Sequence, residues 1–104
     1  MAFADNLKAL PSVAHLAALE LSDAAGTVAA RIENKPGQAG SLAVYAALAA
    51  KHGSINPLAA AEGVEIYAEH TADARTNPGK HPNIDRLLAI TTEAQTLQVK
   101  LIAA

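Results

Sequence analysis

The sequence contains no cysteine, which removes disulfides, thiolate metal sites and thiol nucleophiles together. Any metal would have to be held by histidine and carboxylates. Tryptophan is also absent, and the only aromatic rings besides histidine are Phe3, Tyr45 and Tyr67. Hydrophobic residues still make up 51% of the 104 positions, many of them alanine. A core must therefore come from Leu, Val and Ile with close helix contacts at Ala, which bury less area per residue than aromatic rings. Eight Lys and Arg against ten Asp and Glu give a net charge of −2, with no basic block to neutralise a row of phosphates, so no nucleic-acid partner is expected. No run approaches the roughly 20 apolar residues that span a bilayer, and the first ten residues lack a basic segment followed by an apolar one. The expectation is a soluble cytoplasmic protein with no membrane partner, one domain over residues 1–104.

Period and punctuation place the elements. "FADNLKAL" has Leu7 and Leu10 at helical spacing before Pro11 and predicts a short helix. The period then changes to two. Ala17, Leu19 and Leu21 alternate with Ala18, Glu20 and Ser22, and Val28, Ala30 and Ile32 alternate with Ala29, Arg31 and Glu33, with "DAAG" as the turn between them. This is a β-hairpin with one apolar face. In "SLAVYAALAAKHG" the residues Leu42, Tyr45, Leu48 and Ala49 form a helical stripe, with Ser41 as the expected N-cap and Gly53 as the stop. Asn56 and Pro57 start a helix that runs over residues 57–75 with Ala60, Val64, Tyr67, Thr71 and Ala74 on one side. Gly63 weakens it by about 1 kcal/mol relative to Ala. A strand over residues 64–68 is the rival reading, because "VEIYA" is rich in β-branched and aromatic residues. A helix from Pro82 or Asn83 to Ile90 follows, and "TLQVKLI" alternates as a third strand. The prediction is an α+β fold: a small antiparallel three-stranded sheet, made of the hairpin and the C-terminal strand, covered on one face by helices.

Two turns carry the candidate chemistry. Residues 34–41 contain Lys35, Gly37, Gly40 and Ser41 and open onto a helix, where backbone N–H groups and a lysine favour an anion. The spacing is not a nucleotide-binding loop of the Walker type. The plain alternative is a turn whose glycines only bend the chain and whose serine only caps. Residues 68–86, "AEHTADARTNPGKHPNIDR", hold His70 and His81, three acids, two arginines and a lysine around two prolines. Arg75, Lys80, His81 and Arg86 are candidate anion ligands there. His70, His81, Asp85 and Glu69 are candidate metal ligands or acid–base groups, since imidazole with carboxylate suits zinc, iron(II) or manganese without thiolates. No HExxH or comparable spacing occurs, and Arg75 and Asp85 also have ordinary roles at helix ends. His15 and His52 lie before a strand and at a helix end, and Tyr45 and Tyr67 fall on apolar stripes. "LAAKHGSINPLAAAEG" has the Ala-x-x-x-Gly spacing of a helix-turn-helix, but its second helix offers no side chain to read a base edge.

"IENKPGQAGS" with Tyr45 after it, "YAEHT" and "NPGKHPNID" together resemble a family of small bacterial proteins known only as a domain of unknown function, over about residues 3–90. The resemblance implies a bacterial, cytoplasmic, single-domain protein and brings no activity, cofactor or catalytic residue with it. The residues themselves favour a non-catalytic binding module for an anionic small molecule or a protein partner, acting through the two Pro-Gly turns. A metal-binding protein or small enzyme built on His70 and His81 is the alternative, and a purely structural homo-oligomer the third. A homodimer is expected because a three-stranded sheet leaves two edges unpaired.

Overall fold

The computed structural model describes residues 2–104. Its elements are α1 (Phe3–Lys8), β1 (Leu16–Ser22), β2 (Val28–Glu33), α2 (Ala39–His52), α3 (Pro57–Tyr67), α4 (Glu69–Thr76), α5 (Pro82–Ala89) and β3 (Gln98–Ala103), with a 3-10 turn at Glu93–Gln95. The strands form one antiparallel sheet in the order β2-β1-β3, the α+β arrangement expected from the change of period. The most apolar strand takes the centre: Leu16, Ala18, Leu19 and Leu21 of β1 are all buried. Asp23 closes the hairpin, its Oδ1 accepting hydrogen bonds from the N–H groups of Ala25 and Thr27 at 2.9 and 3.0 Å.

Strict alternation fails at several places, two of which are bulges, and Leu101 of β3, expected on the apolar face, is 50% exposed. The β1–β3 register shifts between Leu16 and Ala18, so Ala17 is exposed rather than facing the core. The β1–β2 register shifts between Leu21 and Ser22 and pairs Ser22 with Val28, which leaves Val28 52% exposed. Between the bulges Ala18 is buried beside Leu19, and the rest of the pattern holds. Leu19, Leu21 and Ile32 are buried, while on the other face Arg31 reaches Glu20 at 3.0 Å and Glu33 at 3.5 Å.

Helices cover the apolar face. Leu42, Tyr45 and Leu48 of α2 are fully buried, as their spacing predicts. The helix starts earlier than expected, however: Gln38 is the N-cap and Ser41 lies inside the first turn. The turn before it is already helical in its bonding, since the N–H groups of Gln38 and Ala39 both donate to the Lys35 carbonyl. Asn56 does cap α3, its Oδ1 accepting from the Ala59 N–H at 2.8 Å, with Pro57 in the first turn.

The helix expected over residues 57–75 is in fact two. It is helical through Tyr67, which excludes the strand reading of residues 64–68, and then breaks at Ala68, whose φ of 51° and ψ of −117° are the conformation of a glycine in a type II′ turn. The break leaves the Val64 carbonyl without its helical partner, and the buried Thr71 hydroxyl donates to it at 2.6 Å. The apolar stripe survives the break, because Ala60, Tyr67, Thr71 and Ala74 are all buried.

Gly63 has a packing role. A Cβ added there would lie 2.6 Å from Cδ1 of Leu87 in α5 and 2.9 Å from Cδ1 of Leu48 in α2. Both leucines are themselves buried, so neither has free space to move into.

Gly63 and Ala68 each run against helix propensity, and exchanging them one at a time tests why. Gly63→Ala is expected to destabilise by about 1–2 kcal/mol, overpacking of about 1–3 kcal/mol outweighing the roughly 1 kcal/mol gained in propensity. Ala68→Gly is expected to stabilise by about 1 kcal/mol through relief of backbone strain. Urea unfolding midpoints moving in the opposite directions would refute both assignments.

Candidate functional site

The two Pro-Gly turns come together. A cavity of about 260 Å³ is bordered by Gly37 and Ser41 at the start of α2, by Lys80, His81, Pro82, Asn83 and Ile84 at the start of α5, by His70 of α4, and by Phe3 and Tyr67. Gly37 and Gly79 give the turns their shape, with φ of 88° and 92°.

His81 is the N-cap of α5, and its Nε2 lies 2.6 Å from Oδ2 of Asp73. The same carboxylate receives Lys80 Nζ at 3.1 Å and, on Oδ1, the Asn77 side-chain amide at 2.9 Å. Hydrogen bonds from His81 and then Lys80 outweigh partial burial and hold the Asp73 carboxyl at about 2, below its ordinary 3.8. With Nε2–H donating to that carboxylate, Nδ1 is left as the free nitrogen of the His81 ring. The His70 ring lies 5.8 Å from the His81 ring between centroids and edge-on to Phe3 at 5.3 Å.

Two tyrosines brace the same end of the molecule. Tyr67 donates its hydroxyl to Ser41 Oγ at 2.7 Å, which leaves the serine proton free to be donated onward. Tyr45 donates to the Asn83 carbonyl at 2.5 Å. Burial pushes the Tyr45 phenol up to about 12 and the Tyr67 phenol higher still, so both are neutral hydrogen-bond donors at neutral pH.

The residues expected from sequence divide clearly. Gly37, Ser41, Lys80, His81 and His70 border one cavity; Lys35, Gly40, Arg75 and Arg86 do not. Lys35 pairs with Glu33, and Gly40 lies beside Phe3 and Leu7 where α1 docks. Arg75 is exposed along a separate depression with Glu65 and Ala72. Arg86 donates to Asn83 Oδ1 at 2.8 Å and lies over the Tyr45 ring at 5.7 Å, clamping α5 to α2. Of the metal candidates, Glu69 accepts the Phe3 N–H at 2.8 Å and Asp85 accepts the Gly79 N–H at 2.8 Å. His70 and His81 border one cavity, but among the described residues no group of three or more His, Asp or Glu is placed to hold a metal. The carboxylate that meets His81 is Asp73, eight positions back across the turn. Its position at the end of a helix feeding the Pro-Gly turn was the available signal. Phe3 and Tyr67 as cavity walls had no local signal at all.

The fold and the cavity define a small α+β protein with a cleft where two turns meet beside an aromatic pair. The chain belongs to the family DUF2322, uncharacterised proteins conserved in bacteria, whose model matches residues 3–101. No curated protein and no solved structure matches it. No helix among the described residues is long and apolar enough to cross a membrane.

Because the folded-state value of Asp73 is depressed, its contribution to stability is complete above its ordinary range and is lost as pH falls through about 2. The stability difference between the native chain and Asp73→Asn should therefore be greatest near neutral pH and shrink between about pH 5 and pH 2. Urea midpoints measured across that range would show a constant difference if the carboxylate carried no such linkage.

Proposed function

We propose that this chain is a non-catalytic binding module whose cavity takes a small anionic molecule. The observation that carries this reading is the convergence of both Pro-Gly turns, with His70, on one cavity. Lys80 supplies the cation there. Its side chain is 61% exposed and its other two N–H donors remain after the contact with Asp73. The Ser41 hydroxyl, already accepting from Tyr67, supplies a directed neutral donor. The starts of α2 and α5 add favourable potential for negative charge.

A second reading is favoured by the short Asp73–His81 contact. A carboxylate that fixes an imidazole by one nitrogen leaves the other as a general base, the arrangement used in acid–base catalysis. Under that reading Asp73→Asn abolishes turnover of a bound compound while its binding persists. Under the binding reading no turnover exists to lose.

Titration with sodium acetate followed by 1H–15N NMR tests the leading reading. Shifts should localise to the amides of Gly37, Ser41 and Asn83, and Lys80→Met should weaken the apparent affinity about tenfold, the worth of one charge-assisted hydrogen bond. Shifts scattered over the surface, or unchanged affinity in Lys80→Met, would sink it.

A further inference from the structure

We infer that the occupant of this cavity is a monocyclic aromatic carboxylate, a monoanion with one flat apolar ring, rather than a phosphate or a nucleotide. The inference rests on the anion-binding reading and narrows it by charge, by wall chemistry and by volume.

Charge comes first. The cavity has one lysine, and that lysine sits 3.1 Å from a carboxylate held ionised by its neighbours. The two imidazoles add positive charge only when protonated. An ammonium already shared with a carboxylate leaves little surplus positive charge, which limits the occupant to no more than one negative charge. A phosphate monoester brings nearly two, and sites for it gather several cations or a fork of arginine donors. Arg86 is committed to Asn83 and Tyr45, and Arg75 lies along a separate depression.

The walls make the second argument. Phe3 stacks on Tyr67 with centroids 5.1 Å apart and 22° between planes, and His70 meets Phe3 edge-on. The half-buried Phe3 and His70 rings line the same cavity as Lys80 and Ser41. Aromatic lining beside a few polar groups is what orients an amphipathic ligand. A simple inorganic anion would leave those rings in contact with water.

Volume sets the size. About 260 Å³ corresponds to roughly nine water-sized volumes. That is room for one six-membered ring with its carboxylate.

Competition among benzoate, acetate and inorganic phosphate on the full chain tests the inference, read by the same amide shifts. Benzoate should bind at least about tenfold more tightly than acetate or phosphate, the gain expected from removing one ring face from water. Phe3→Leu, which keeps apolar bulk where α1 docks, should reduce that ratio without weakening acetate. If acetate or phosphate binds as tightly as benzoate, or Phe3→Leu leaves the ratio unchanged, the aromatic assignment is overturned while the anion-binding reading stands. If none of the three shifts the cavity amides, both are overturned.

Discussion

The close approach of α3 to its neighbours at Gly63 is the contact on which the rest of the structure depends. A chain with so few aromatic rings gains little area per buried residue and has to recover it by bringing helices close together. At Gly63 the backbone of α3 comes within reach of Leu48 and Leu87 at once, which sets the position of α2 and α5 on either side. The two tyrosines then link the same three helices through their hydroxyls, Tyr45 from α2 to the start of α5 and Tyr67 from α3 to the start of α2. Both hydroxyl bonds lie where α2 and α5 begin, so the helix packing and the cavity are one geometric problem.

The acidic residues around the cavity each hold something in place. Asp85 ties its own helix back to the Gly79 N–H and so holds the second turn closed. Glu69 takes the Phe3 N–H and anchors α1, which brings Phe3 onto Tyr67. Asp73 gathers His81, Lys80 and Asn77. Three carboxylates that look alike in sequence thus separate into a turn clasp, a helix tether and a partner for the cavity's basic groups. The separation follows from which backbone N–H or side chain each one reaches.

Ala68 shows the cost of this arrangement. An L-residue held at φ 51° and ψ −117° costs about 1–3 kcal/mol, and the surrounding packing holds it there: Tyr67 before it is buried, and Thr71 after it satisfies the carbonyl that the break exposes. The break separates the straight packing helix α3 from α4, which carries His70 and Asp73. Packing and site are thereby served by two short helices rather than one long one.

Much of the fold was legible before any coordinates. Alternation over residues 17–22, 28–33 and 97–101 marks strands, helical spacing marks Leu42, Tyr45 and Leu48 as core, and Asn56-Pro57 marks a helix start, because these signals are local and each depends on a few neighbours in the chain. The bulges at Ala17 and Ala29, the break at Ala68 and the helix start before Ser41 were not legible, since each answers to a partner strand or helix that local period cannot see. The site divides the same way. Composition and turn chemistry singled out Gly37, Ser41, His70, Lys80 and His81. That they border one cavity, that Asp73 rather than Asp85 or Glu69 meets His81, and that Phe3 from the far end of the chain supplies a wall were decided by the tertiary structure alone. Sequence determines what each segment does along its own length; which segments meet is set by the packing of α3 between α2 and α5, a contact between residues far apart in the chain.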